Sequence, residues 1–109
     1  ATHQVLLSQK ELLPWRKGDA KANLVVDLYD IMFETWGLKT AEIFDLTAAV
    51  LMVQPEACDF QPLHLEVITD EGPTLGQTVV VPDAEPNVYV CLEPNGDQVK
   101  QHLDATFSR

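Results

Sequence analysis

A chain of 109 residues with a hydrophobic fraction of 46% suits one domain, residues 1–109, with a modest core. Seven Lys and Arg against seventeen Asp and Glu leave a net charge of −10, which repels phosphate backbones and anionic lipid surfaces, so neither nucleic acid nor a membrane is an expected partner. The longest apolar stretch, Ala48 to Val53, falls far short of the roughly 20 residues that span a bilayer, and no basic segment followed by an apolar run opens the chain, so a soluble protein is expected.

Thr2 to Leu7 has strand character. Ser8-Gln9-Lys10-Glu11 then has the form of a capping box, in which Ser8 and Glu11 satisfy each other's backbone donors, so a helix begins at Gln9. Pro14 cuts it short, because its ring and missing amide do not suit a helix interior, and Gly18 closes the turn. Asp19 caps a longer helix that runs to about Trp36, with Leu24, Leu28, Ile31 and Met32 at the spacing of a buried stripe and Gly37 as its stop. Val25, Tyr29, Phe33 and Trp36 widen its apolar surface, which predicts neighbours on two sides. After a polar break at Lys39 to Glu42, a third helix runs from Asp45 to about Val53, with Pro55 beyond it. It is almost wholly apolar and is expected to be buried.

The period then changes. Leu63, Leu65 and Val67 alternate with His64, Glu66 and Ile68 as in a strand with one face in the core. Asp70-Glu71-Gly72-Pro73 supplies a turn and Gln77 to Val81 a returning strand, which together predict a hairpin. Pro82 to Pro86 reads as a loop and Asn87 to Leu92 as a third strand. Pro94-Asn95-Gly96-Asp97 opens a last helix to about Phe107, with Val99, Leu103 and Phe107 on one face. No internal repeat is visible. The fold class is α/β, with about four helices, a β-hairpin and a third strand.

Few residues carry chemistry on spacing alone. Cys58 and Cys91 are too few and too far apart for a disulfide framework, and apolar neighbours suit buried thiols, so a reducing cytoplasm is the default. His3, His64 and His102 lack metal-ligand spacing. His64 and His102 read as solvated, and His3 as a structural hydrogen-bonding residue. Glu66, Asp70 and Glu71 fall on a strand face and a turn, where solvated carboxylates belong. No Gly-x-Ser-x-Gly elbow, phosphate-cradling glycine loop or Cys/His dyad occurs, so no residue of this chain is singled out as catalytic.

The most informative stretch is Ile43-Phe44-Asp45-Leu46-Thr47-Ala48-Ala49-Val50, which places a carboxylate at the mouth of an apolar helix with an aromatic ring beside it. On position alone Asp45 is an N-cap and Phe44 a core residue. Taken with Thr2-His3-Gln4, Gly76-Gln77-Thr78-Val79-Val80 and Pro86-Asn87-Val88-Tyr89-Val90, in that order along nearly the whole chain, the stretch resembles the C-terminal third of the inosine-uridine nucleoside hydrolase family.

The resemblance implies that Asp45 matches the family's aspartate that helps hold calcium, in a protein that hydrolyses ribonucleosides to base and ribose. Phe44 stands where many members have histidine, and Leu46 where many have proline. An aromatic residue at the first position in some purine-preferring relatives stacks on the base, and Phe44 suits that substrate-binding role, although it donates no proton. The family's N-terminal aspartate cluster, which supplies most calcium ligands and the general base, has no counterpart among these 109 residues. The expectation is therefore a C-terminal part of a calcium-dependent nucleoside hydrolase of base salvage, inactive and without bound cofactor on its own. Its uncovered helix and strand faces would favour a homo-oligomer. The alternative is a non-catalytic hydrolase relative acting as a folding or protein-interaction module.

Overall fold

The computed structural model describes residues 2–109. The chain divides into two compact units, one formed by Ala1–Cys58 with Glu93–Arg109 and the other by Asp59–Leu92.

In the first unit the chain enters through a 3-10 turn, Thr2–Gln4, and reaches strand β1 only at Leu6–Ser8. The strand expected from Thr2 is thus half helical turn. Ser8 does start helix α1 (Gln9–Leu12): its backbone N–H and hydroxyl donate to the Glu11 carboxylate at 2.8 and 2.7 Å. Glu11 also accepts from Lys100 Nζ at 2.8 Å. Pro14 opens a 3-10 turn, Leu13–Lys17, where its fixed φ is no handicap. That turn brings Trp15 into the core, fully buried, with its Nε1–H donating to Asp104 at 2.6 Å and its ring 4.8 Å from Phe107. Gly18 follows because the chain passes too close for a side chain: an added Cβ would lie 1.9 Å from the Phe107 carbonyl oxygen.

Helix α2 (Ala20–Trp36) is capped by Asp19, which accepts from the N–H groups of Lys21 and Ala22 at 2.9 and 3.0 Å. It ends at Gly37, which adopts the left-handed conformation at φ 61° that glycine reaches without strain. Its buried residues are Ala22, Val26 and Phe33, flanked by half-buried Val25 and Tyr29. The expected stripe is therefore on the wrong side: Leu24, Leu28 and Ile31 are 55–59% exposed. Both sets have helical spacing, so periodicity identifies an amphipathic pattern without telling which of two apolar faces meets the core.

The polar break after Gly37 is a strand, β2 (Thr40–Glu42), antiparallel to β1 with Leu6 opposite Glu42, Leu7 opposite Ala41 and Ser8 opposite Thr40. Leu7 and Ala41 face inward. Helix α3 (Phe44–Val53) begins one residue before Asp45 and buries only Thr47 and Val50, with Met52 and Val53 largely exposed. The expectation of a buried third helix does not hold for this chain. After a 3-10 turn at Pro55–Ala57, the unit is completed by helix α4 (Gly96–Phe107), capped by Asn95, whose side chain accepts from Gln98 N–H at 3.1 Å. Val99 and Leu103 of α4 join Val5, Leu12, Trp15, Val26, Ile43 and Val50 in one core.

The second unit carries the predicted hairpin. Strands β4 (Leu65–Val67) and β5 (Thr78–Val80) pair antiparallel, with Leu65 opposite Val80 and Val67 opposite Thr78. Strand β3 (Cys58–Leu63) pairs with β6 (Val88–Pro94), the expected third strand. No residue between 59 and 92 is fully buried. Hydrogen bonds run through this unit, among them those of the Asn87 amide, which accepts from Leu65 N–H and donates to Leu65 O, each at 3.0 Å.

Two readings of polar residues change. His64 is half-buried, its ring bonded to the Glu85 carbonyl at 2.6 Å and the Glu66 carboxylate at 3.3 Å, and His102 bonds Gln54 at 2.8 Å, so neither is simply solvated. Cys58 and Cys91 are both disulfide-bonded rather than free thiols. Disulfides persist mainly in oxidising compartments, so the expectation of a cytoplasmic protein loses the argument it rested on. Among the described residues no helix is long and apolar enough to cross a membrane.

Candidate functional site

The residues singled out by sequence meet where β2 runs into α3. Ile43 occupies the N-cap position with an extended φ of −111°, and it has no side-chain acceptor to offer the first turn. Phe44 and Asp45 are therefore the first two helical residues, and Asp45 is not the cap. Its carboxylate stands exposed in the first turn, where the positive end of the helix dipole favours a negative charge. Its influence shows on half-buried Tyr29, whose phenol is pushed above the usual range first by burial and then by the Asp45 charge. Two residues on, the hydroxyl of fully buried Thr47 has no hydrogen-bond partner.

Phe44 is partly exposed rather than packed into the core. Its ring lies 4.8 Å from the His3 ring at 76°, an edge-to-face arrangement, and His3 Nδ1 is 3.2 Å from Glu42 Oε1. The sequence alone assigns His3 a structural hydrogen bond and shows Glu42, its partner here, only as part of a polar break. The β1–β2 register, which no local motif announces, brings that carboxylate to the site. Beside these residues lies a cavity of about 450 Å³ walled by Leu6, Met32, Trp36, Leu38, Thr40, Ala41, Glu42 and Phe44.

A hard cation such as calcium takes six to eight oxygen ligands. At this place Asp45 offers an exposed carboxylate, a suitable single ligand for such an ion. Among the described residues no three His, Cys, Asp or Glu side chains come together as a metal site.

No family model and no curated protein matches the chain. Solved structures do. The chain is similar to a plant nucleoside hydrolase, with a TM-score of 0.75 and 20% identity over 98% of this chain and 38% of that one. It is also similar to a purine-preferring ribonucleoside hydrolase from Gardnerella vaginalis, with a TM-score of 0.80 and 24% identity over 98% of this chain and 37% of that one. The fold is that of part of a nucleoside hydrolase, as the sequence resemblance implies. The chain spans less than two fifths of the length of either structure.

Proposed function

We propose that the chain is the C-terminal part of a calcium-dependent nucleoside N-ribosyl hydrolase, which converts a ribonucleoside and water to a free base and ribose in base salvage. The observation that carries this reading is the placement of Asp45 and Phe44, side by side and exposed, at the uncapped start of α3 in a nucleoside-hydrolase-like fold. Asp45 would supply one oxygen to the metal, which when bound orients the sugar and lowers the pKa of a water. Phe44 would lie against the base, since an aromatic face adds apolar area and stacks on a planar ring. Neither residue moves a proton to or from the reacting centre, so the general base belongs to the remainder of the fold.

A consequence is that the 109 residues alone have no hydrolase activity. Purified chain incubated with inosine or uridine and calcium is expected to release no ribose above a chelated control. Release above that control would overturn the division of labour proposed here, because the chain would then hold a nucleophile-generating group of its own.

A second reading, a non-catalytic hydrolase relative that binds another chain, is favoured by one observation: the exposed Leu24, Leu28 and Ile31 face of α2. The hydrolase reading also explains that face, because most of a nucleoside hydrolase fold lies outside these residues and provides apolar surface to cover it. We therefore propose cover by the rest of the fold, with a homo-oligomer as its substitute when the chain is isolated.

A further inference from the structure

Cys58 and Cys91 are the only cysteines of these 109 residues and both are disulfide-bonded, so they are bonded to each other. The bond joins the first residue of β3 to β6, two strands that pair, and closes a loop over residues 59–90. That loop is almost residue for residue the second unit, Asp59–Leu92. Burial does little for the unit: no residue between 59 and 92 is fully buried, and Val67, Leu75, Val80 and Tyr89 are exposed. Its strands lie in two-stranded sheets, which are marginal in water by themselves, and their hydrogen bonds exchange for bonds to water at small net cost. A covalent closure acts differently, because it removes conformational freedom from the open chain, and more so the longer the loop. The first unit has a core of its own around Trp15, Val26, Ile43 and Leu103 and does not depend on the bond. The two sulfurs also differ. Cys58 is buried and Cys91 half-buried, so an attacking thiolate meets Cys91 Sγ first. Cys58 Sγ lies 3.4 Å from the Glu93 carbonyl oxygen, to which a thiol donates and a disulfide sulfur does not, so the reduced form gains a hydrogen bond there.

We propose that the Cys58–Cys91 disulfide is a redox latch on the second unit: its reduction by a dithiol opens residues 59–92 while the first unit stays folded. A thiolate of the dithiol attacks Cys91 Sγ, the S–S bond breaks, and Cys58 leaves as a thiolate that takes up a proton and donates it to the Glu93 carbonyl in a hydrogen bond. The second thiolate of the dithiol then attacks the mixed disulfide and displaces Cys91, which is protonated in turn. The chain gains two electrons and two protons, and the dithiol becomes a disulfide. The latch stands independently of the hydrolase reading, because it rests on the cysteines and the burial of the second unit alone.

The test follows amide hydrogen exchange, segment by segment, in the oxidised chain, in the same chain with dithiothreitol, and in Cys91→Ser, which leaves buried Cys58 in place as a thiol. Reduction is expected to speed exchange in 59–92 by on the order of a hundredfold, the equilibrium share that loop closure contributes. Helices α2 and α4 should keep their protection. Cys91→Ser without reductant should match the reduced chain and should not respond to dithiothreitol, which separates the bond from any other action of the reagent. Returning the reduced chain to glutathione disulfide should restore protection. Titratable thiols in the chain as purified without reductant, exchange in 59–92 that ignores reduction, or loss of protection in α2 and α4 together with the second unit each overturns the proposal. Protection that does not return on reoxidation does so as well, because a latch must close again.

Discussion

Two aspartates at the start of helices illustrate how one residue type serves two ends. Asp19 accepts two backbone N–H groups and closes α2, whereas Asp45 stands one position inside its own helix and caps nothing. Replacing Asp19 by Ala should therefore cost about 1 kcal/mol of stability, while Asp45→Asn should cost about 0.5 kcal/mol, the loss of a charge at the helix dipole. Urea denaturation of the two variants checks this, and an Asp45 variant as destabilised as the Asp19 variant would return Asp45 to a structural role. Glu11 makes a second test. Hydrogen bonds from Lys100 and Ser8 hold its carboxyl down from 4.5 to about 2. A carboxyl with a depressed folded value contributes stability above its unfolded pKa and loses it as the pH falls through the window from 4.5 to about 2. Glu11→Gln is expected to lower the melting temperature at pH 7 and to flatten its fall between those two values, a contribution kept small because the group is partly exposed. An unchanged pH profile would contradict it.

At the scale of elements, helices α2 and α4 were legible because each carries its own punctuation: Asp19 and Gly37 bound one, Asn95 the other. The hairpin was legible from alternation and a turn. Strand β2 was not, because Lys39 to Glu42 has a polar composition and its pairing with β1 is fixed only by long-range register. The same register, with Glu42 opposite Leu6, is what sets the Glu42 carboxylate beside His3. The face of α2 was misjudged because Leu24, Leu28 and Ile31 share a helical spacing with Ala22, Val26 and Phe33, and hydrophobicity alone does not say which face a neighbour covers. The buried reading of α3 failed likewise: an all-apolar helix signals cover on every side, and this chain supplies only part of it. The α2 assignment is directly testable. Leu28→Glu should change stability by less than about 0.5 kcal/mol, as exposed substitutions do, whereas Val26→Glu buries a carboxylate and should abolish cooperative unfolding. Equal damage from both would place Leu28 back in the core.

Across the whole chain, the uncovered apolar residues and the net charge of −10 act against each other. Burying apolar area yields about 25 cal/mol per Å², and like charges oppose the encounter of two copies. Self-association should therefore strengthen as salt screens the repulsion, since the Debye length falls from about 10 Å at 0.1 M to about 3 Å at 1 M. Sedimentation equilibrium at micromolar concentration and two salt levels measures this. A mass of 12.1 kDa at both would show that the exposed faces need no cover.

The most direct test of the hydrolase reading joins these residues to the part of the fold that they do not span. In the purine-preferring hydrolase from Gardnerella vaginalis, the 37% that this chain matches would be replaced by these 109 residues, and ribose release from inosine measured with and without calcium. The chimera is predicted to release ribose only with calcium and to lose that activity on Asp45→Asn, with folding retained by circular dichroism. A folded, monodisperse chimera that releases no ribose, or one whose activity survives Asp45→Asn, would contradict the assignment of Asp45 to the metal and of this chain to a hydrolase.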